Sequence, residues 1–200
     1  TAEAMMEFAR VLPASIPRIA LVDFNNDCVK DSQLVLDVMF AKYRELMETG
    51  NEREAAKYKL YGVRLDTSGS LRDESVTPLG DPALDLGVTP RLVFNVRQGL
   101  DSAWERWNLD TVWQERAREF CRSVKIVVSG GFAPEKIRKF EKLGVPVDIY
   151  AVGSYLFNNN GATVTDFTAD VVRVKVHGEW VDMAKVGRKP LDNPNLERVW

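Results

Sequence analysis

The segment KIVVSGGF, residues 125–132, decides the fold of this chain of 200 residues. It opens with a compact run rich in β-branched side chains, which is typical of a strand covered on both faces. Gly130 and Gly131 have no Cβ, so backbone N–H groups there can approach an anion closely. The next segment, APEKIRKFEKLG, has a proline suited to a first helical turn and a glycine suited to a helix C-terminus. The pattern therefore predicts a strand, a glycine turn and a helix.

This glycine turn either binds a phosphate at the start of the helix or only reverses the chain. A second unit of the same kind follows directly, because the apolar residues 147–152 lead into a Gly-Ser pair. Barrels of the (β/α) type commonly hold a phosphate with the turns of their last two strands. Two adjacent turns favour the phosphate-binding interpretation. The predicted phosphate-binding residues are Ser129, Gly130, Gly131, Gly153 and Ser154.

A polar cluster, DFNND at residues 23–27, follows the short apolar run of residues 19–22. Proteins of the α/β class place their chemistry just past the ends of buried strands, so Asp23 and Asn26 are candidate site residues. Asp and Asn are also favoured helix N-caps, and capping of the long helix predicted over residues 29–48 accounts for part of the cluster.

A second strand is predicted over residues 60–65, and it leads into the hydroxyl-rich loop TSGS. Arg64 and Asp66 are two residues apart, so they share one face of an extended chain. The charged pair indicates either a pocket at the strand end or a buried ion pair. Ser68, in the loop, could hydrogen-bond a sugar or phosphate, or the loop could simply turn.

The rest of the chain continues the alternation of strands and helices. Residues 72–87 are predicted as a loop, and residues 170–176 and 180–186 as a β-hairpin around His177. Further helices are predicted over residues 1–12, 51–59, 89–107 and 110–122. Thr89 and Asp110 are the expected N-caps of the last two.

The pattern predicts an α/β fold in which parallel strands alternate with helices. Four parallel strands cannot close a barrel, which usually needs about eight. We therefore expect the C-terminal part of an incomplete TIM-like (β/α) barrel in residues 1–166, which carries the phosphate-binding turns. Residues 167–200 are expected to form the hairpin and an irregular tail that packs on the rest.

Composition and charge exclude several functional classes. The chain has 27 Lys and Arg against 29 Asp and Glu, which gives no electrostatic reason to expect nucleic acid as a partner. No apolar run approaches the roughly 20 residues of a membrane span, so no membrane partner is expected. Cys28 and Cys121 are far apart and outside any metal-binding motif, which favours reduced thiols in a cytoplasmic protein. His177, without a ligand-spaced partner, is interpreted as a solvated turn residue.

Together these motifs resemble the C-terminal half of the nicotinate phosphoribosyltransferase family. The resemblance is carried by LVDFNND at residues 21–27, YGVRLDTSGSLRD at 61–73, TPRLVFNVRQGLD at 89–101, the segment from KIVVSGGF to AVGS at 125–154, and the tail at 166–200. It implies a type II phosphoribosyltransferase, in which an incomplete α/β barrel is joined to an α/β sandwich formed largely by N-terminal sequence. It also implies NAD salvage: nicotinate, phosphoribosyl diphosphate and ATP give nicotinate mononucleotide, diphosphate, ADP and phosphate.

The resemblance suggests roles for the candidate residues. Asp23 and Asp66 are the expected catalytic carboxylates, binding ribose hydroxyls or Mg²⁺, with Asp23 the candidate magnesium ligand. Arg64 is expected to stack on the pyridine ring or pair with its carboxylate, since a planar guanidinium can do both. Asn26 and Ser68 are further substrate-binding candidates, and the two glycine turns are expected to hold the 5′-phosphate.

Two alternatives remain open at this point. A related nicotinamide or quinolinate phosphoribosyltransferase would use the same phosphate turns. The chain could instead be a phosphate-binding or assembly module that is inactive without a partner. The family's phosphorylatable histidine motif has no match in this sequence, and His177 does not replace it. We therefore expect a fragment of the family enzyme, or a chain that pairs with its missing half or forms a homodimer.

Overall fold

A computed structural model of the chain describes residues 1–157 and 169–189. In chain order the elements are α1 (Ala2–Val11), β1 (Ile19–Leu21), α2 (Cys28–Glu48), α3 (Glu52–Ala55), β2 (Gly62–Leu65), α4 (Pro82–Asp85), α5 (Pro90–Asp101), α6 (Thr111–Arg122), β3 (Lys125–Val128), α7 (Pro134–Lys142), β4 (Ile149–Tyr150), α8 (Ser154–Phe157), β5 (Arg173–Val176) and β6 (Glu179–Asp182). Short 3₁₀ turns at Ala56–Tyr58 and Ala103–Arg106 follow α3 and α5.

The strands β1 to β4 form a four-stranded parallel sheet in the order β1-β2-β3-β4. The predicted α/β class with parallel strands is therefore confirmed. The last strand is shorter than predicted, because β4 pairs with β3 only at Val127↔Ile149 and Val128↔Tyr150. Just before it, the side chain of Asp148 accepts the backbone N–H of Ile126 in place of a ladder bond.

One face of the sheet carries the hydrophobic core. Ala20, Val63 and Ile126 lie in register on adjacent strands and are fully buried against apolar residues of α2, α5 and α6. On the other face Leu21 and Ile149 are exposed. The covered face explains the apolar character of the strands. The second face is open at the outer strands, although Val127 in β3 is buried there, and this distinguishes the sheet from the usual parallel sheet covered on both sides.

The predicted N-caps of α5 and α6 are confirmed, since Thr89 accepts the N–H of Leu92 and Asp110 that of Trp113. The helix predicted over residues 89–107 is not continuous. It ends at Ser102, whose backbone N–H and hydroxyl both donate to the carbonyl of Gln98, and a 3₁₀ turn follows.

The loop predicted over residues 72–87 contains the short helix α4. Asp81 caps it by accepting the N–H of Ala83, and Pro82 occupies the first helical position. These local signals account for a turn of helix that the overall composition of the loop concealed.

The strands β5 and β6 form the predicted hairpin, with Arg173 opposite Asp182. His177 and Gly178 make its turn with φ angles of 50° and 91°, and His177 is exposed, as predicted. The expected packing of the tail falls on residues 190–200, which lie outside the described residues. Across the described ranges, none of the helices is both long and apolar enough to span a membrane.

Candidate functional site

A polar cavity of about 580 Å³ lies at the C-terminal ends of β2, β3 and β4. The predicted site residues that line it are Arg64, Asp66, Ser68, Ser129, Gly130, Gly131, Gly153 and Ser154. Parallel strands bring their carboxyl ends to one edge, so residues distant in the sequence meet there. Asp23 and Asn26 are not among the lining residues.

Arg64 and Asp66 face the cavity as a partly open ion pair. Their closest atoms, Nη2 and Oδ2, are 3.3 Å apart, and the side chains are 44% and 30% exposed. The pair predicted from strand alternation therefore exists, but it is not buried. An exposed pair of this kind contributes little to stability, and both groups retain hydrogen-bonding capacity for a ligand.

The first glycine turn needs its glycines. Gly130 and Gly131 have φ angles of 86° and 69°, in the left-handed region that side chains disfavour. A Cβ at Gly130 would lie 3.3 Å from Oδ1 of Asp66, whereas a Cβ at Gly131 would have nothing within 4 Å. Gly130 thus lets the turn approach Asp66, and Gly131 presents bare backbone to open space beside the cavity.

Ser129 is buried, and its hydroxyl donates to the carbonyl of Leu65 at 3.1 Å. Its backbone N–H donates to the same oxygen at 2.9 Å. The hydroxyl hydrogen bond thus links the ends of β2 and β3. The hydroxyl oxygen can still accept a hydrogen bond from a ligand.

The second glycine turn is more open than the first. Gly153 and Ser154 are exposed, and Gly153 has an ordinary negative-φ backbone with space for a Cβ. The helix α8 that follows is a single turn. Gly153 is therefore not required by backbone geometry, in contrast to Gly130.

Asp23 lies behind the cavity wall and is buried. Its Oδ2 forms an ion pair with Nζ of Lys185, and Lys185 also donates to the backbone carbonyl of Asp66 at 2.8 Å. Oδ1 of Asp23 is buried without a hydrogen-bond partner among the described residues. Burial raises the pKa of Asp23, and the hydrogen bond and charge of Lys185 lower it in part.

Asn26 is committed to a structural role. It adopts a left-handed conformation with φ 59°, and its side-chain amide donates to the carbonyl of Arg72 at 2.8 Å. Its own carbonyl accepts the N–H of Glu74. Asn26 therefore fixes the loop after β2 instead of lining the cavity.

Residues 185–188, which we call the strap, cross the ends of β1 and β2 after the hairpin. The backbone N–H of Val186 donates to the carbonyl of Phe24 at 2.9 Å. Gly187, with φ 85°, packs so closely on Leu71 that a Cβ would lie 2.8 Å from Cδ1. Arg188 lines the cavity, and its Nε is 3.1 Å from Oδ2 of Asp170.

Sequence reasoning missed both cations of the strap. Lys185 and Arg188 sit in the segment AKVGRKP, which has no periodicity or motif that indicates a site. The position of Lys185 results from contacts with residues more than a hundred positions earlier, such as its bond to Asp66, and Arg188 follows it along the strap. Lys185 falls within the strand predicted over residues 180–186, which in the structure ends at Asp182, and Arg188 follows that predicted strand. The available signal was therefore limited to two cations at the end of the predicted hairpin.

Lys136 adds a further cation beside the first glycine turn. Its Nζ donates to the carbonyl of Gly130 at 3.3 Å and lies 4.1 Å from the centroid of the Phe132 ring. Burial, followed by the charge of Lys139, lowers the pKa of Lys136. This ammonium group is partly desolvated, and it adds positive charge at the turn.

The acidic residues suit a magnesium ion only if a ligand supplies most of its coordinating oxygens. Within residues 1–157 and 169–189 no group of three or more His, Cys, Asp or Glu is arranged to hold a metal. Mg²⁺ is commonly bound by one or two carboxylates together with substrate phosphates. Asp66 is accessible for such an ion, whereas Asp23 is engaged by Lys185. The residues therefore fit an ion that arrives with a phosphorylated ligand.

The cavity combines two guanidinium groups, a carboxylate and two glycine turns, which suits a polyhydroxylated anion. The nearby Cys28 thiol is an unsuitable nucleophile, because burial and the neighbouring Asp73 raise its pKa well above 9.0.

Comparison of the chain with protein-family models, with curated proteins and with solved structures finds no significant match.

Proposed function

We propose that this chain carries the phosphoribosyl-binding site of a nicotinate phosphoribosyltransferase. The observation that carries the proposal is the meeting of Arg64, Asp66 and the Gly130–Gly131 turn around one polar cavity. This cavity lies at the carboxyl ends of parallel strands, where α/β proteins place their ligands. Its volume of about 580 Å³ is within the range of small-molecule sites.

The ligand groups can be assigned from their chemistry. A 5′-phosphate would accept hydrogen bonds from the bare backbone at Gly131 and from the second turn at Ser154. Asp66 would accept hydrogen bonds from ribose hydroxyls. The guanidinium of Arg188, on the strap, would add charge-assisted hydrogen bonds to a phosphate oxygen.

The proposed reaction transfers the phosphoribosyl group to the ring nitrogen of nicotinate as diphosphate leaves. C1′ becomes electron-poor in the transition state, so a carboxylate near the ribose stabilises it. Asp66 would take that role, and Arg64 would contact the carboxylate or the ring of nicotinate. The ring nitrogen already carries a lone pair, so no general base is required.

The proposal also includes Mg²⁺, bound together with the substrate, and ATP as a co-substrate. Bound Mg²⁺ would supply charge neutralisation on the diphosphate, with Asp66 as its protein ligand. The ATP-coupled step rests on the family resemblance alone.

The exposed apolar side chains on one face of the sheet support the proposal that additional protein completes the site. Leu21 and Ile149 are exposed apolar side chains on strands that a parallel sheet normally covers. The outer strands β1 and β4 each pair on one side only within the described sheet. We propose that these edges continue into the remainder of an incomplete barrel, contributed by additional sequence or by a second subunit.

A second candidate is a quinolinate-type enzyme. It is favoured by one observation: two guanidinium groups, of Arg64 and Arg188, line the cavity, and quinolinate has two carboxylates. Assaying the intact protein with nicotinate, nicotinamide and quinolinate separates these functions. Turnover of nicotinate alone supports the first proposal, and turnover of quinolinate replaces it with the second.

Calorimetric titration of the intact protein with nicotinate mononucleotide tests the binding site. Gly131→Val should weaken binding at least about tenfold, because the side chain would enter the space assigned to the phosphate. Gly50→Val is the matched control, since Gly50 also has a positive φ (74°) and nothing within 4 Å of its Cβ position. Normal affinity in Gly131→Val would remove the phosphate assignment.

A further inference from the structure

We propose that the ion pair between Asp23 and Lys185, which we call the lock, holds the strap over the site. Asp23 then acts on the ligand by positioning the strap and does not contact the ligand itself. The inference rests on the proposed function only in taking a phosphorylated compound as the ligand of the cavity. It assigns a positioning role to Lys185, and it changes the role expected for Asp23 from its place after a strand.

The first support is the burial of the pair. The side chain of Asp23 is 0% exposed and that of Lys185 is 15% exposed, and their charged atoms are in direct contact. A charge removed from water in this way requires its partner, because a lone buried carboxylate carries a large desolvation cost. Undocking the strap would leave Asp23 without its cation, so the ion pair resists opening.

The second support is the path of the strap on either side of Lys185. The same ammonium group donates to the carbonyl of Asp66, so it joins the ends of β1 and β2. The next residues bind Phe24 through the backbone and pack against Leu71. Arg188 then enters the cavity. Release of Lys185 would therefore withdraw a phosphate-binding cation from the site.

The third support is the accessibility of the two carboxylates. Asp66 lines the cavity, whereas Asp23 does not and has Lys185 on its Oδ2. The other titratable groups that act on Asp23 are Asp66 and the Cys28 thiol, and neither is a cation. Lys185 is thus the cation that balances Asp23 within the described residues.

Limited trypsin digestion of the intact protein tests the lock without any ligand. Cleavage after Arg188 reports opening of the strap. Lys185→Met and Asp23→Asn should each speed this cleavage at least about tenfold, because each breaks the buried pair. The double variant should be no faster than either single variant. Lys175→Met is the control, since it removes an exposed charge from β5 without changing the Arg188–Lys189 bond, and its cleavage after Arg188 should match that of the wild type.

Lys185→Arg should restore slow cleavage, because it keeps the cation. If Lys185→Met does not fold, Asp23→Asn provides the test, since the amide removes the negative charge and keeps the size of the side chain. Unchanged cleavage after Arg188 in folded Lys185→Met or Asp23→Asn would overturn the lock.

Binding of nicotinate mononucleotide, measured on the same variants, separates this inference from the proposed function. Asp23→Asn and Lys185→Met should weaken binding by the same factor, as expected if both act through the strap. Weakened binding in Asp23→Asn with normal cleavage would show that Asp23 contacts the ligand, and would overturn the lock. Faster cleavage in a protein that binds no mononucleotide would sustain the lock and refute the proposed function.

Discussion

Gly130 lies against the carboxylate of Asp66, although the two residues are on different strand ends of the sheet. A Cβ at position 130 would be 3.3 Å from Oδ1 of Asp66, and the φ angle of Gly130 is 86°. The turn and the carboxylate are therefore in contact, and a substitution in either should change the position of the other. This contact gives a specific role to a glycine that could otherwise be attributed to chain reversal alone.

Gly130→Ala should lower the free energy of unfolding by about 1–2 kcal/mol, the usual cost of a left-handed conformation for a residue with a side chain. It should also weaken mononucleotide binding, because the added methyl group displaces Asp66. Urea unfolding and calorimetric titration measure the two effects. Gly50→Ala, with φ 74° and no neighbour within 4 Å, is the control and should lose stability only. Equal binding in the wild type and Gly130→Ala would show that the turn and the carboxylate are independent.

Asp66→Asn should reduce kcat in the complete enzyme at least about tenfold, which corresponds to roughly 1.4 kcal/mol of transition-state stabilisation. The amide keeps the size of the side chain but loses the negative charge that faces an electron-poor ribose carbon. Steady-state kinetics with nicotinate measure the change. Kinetics identical to those of the wild type would remove Asp66 from the mechanism.

The buried carboxylate of Asp23 predicts a pH dependence of stability. Burial raises the pKa of Asp23 above its ordinary value of 3.8, so the folded protein holds this proton more tightly than the unfolded chain. Its contribution is fully present below pH 3.8 and is lost as the pH rises through the folded-state pKa. Urea unfolding at several pH values should therefore show the wild type losing stability relative to Asp23→Asn over that window. A difference that is constant with pH, or that changes in the opposite direction, contradicts the raised pKa.

The sequence and the structure agree best where local chemistry decides. The caps at Thr89 and Asp110, the strand at residues 125–128 and the shared face of Arg64 and Asp66 all follow from neighbouring residues. The strap could not be predicted in this way, because Lys185 is positioned by Asp23 and by the carbonyl of Asp66 through long-range packing.

Asn26 shows a second limit of sequence reasoning. Its residue type suited a site, but a left-handed backbone turned its amide towards Arg72. Residue type and position after a strand therefore identified the edge of the sheet where the cavity lies, together with Arg64, Asp66 and Ser129 in its lining, but they did not exclude Asn26 and Asp23.

Both thiols should be unreactive in the folded protein. Cys28 and Cys121 are free and buried. Burial raises the pKa of Cys121 to about 12 and that of Cys28 well above 9.0, so neither is a thiolate at neutral pH. Labelling with a disulfide reagent at pH 8 should be slow without denaturant and complete in urea. Rapid labelling of the folded protein would show that one of the thiols is accessible.

Gly99 permits close contact between α5 and α2. A Cβ at this position would lie 2.7 Å from Cγ1 of Val29, which is closer than atoms can pack. Replacing a glycine inside a helix by alanine normally stabilises the helix by about 1 kcal/mol. Gly99→Ala should instead destabilise the protein by about 1–3 kcal/mol, the usual cost of overpacking. Urea unfolding measures the sign directly. Adding Val29→Ala to Gly99→Ala should recover most of the lost stability, because it removes the opposing methyl groups. If Gly99→Ala alone stabilises the protein, the two helices can move apart without cost.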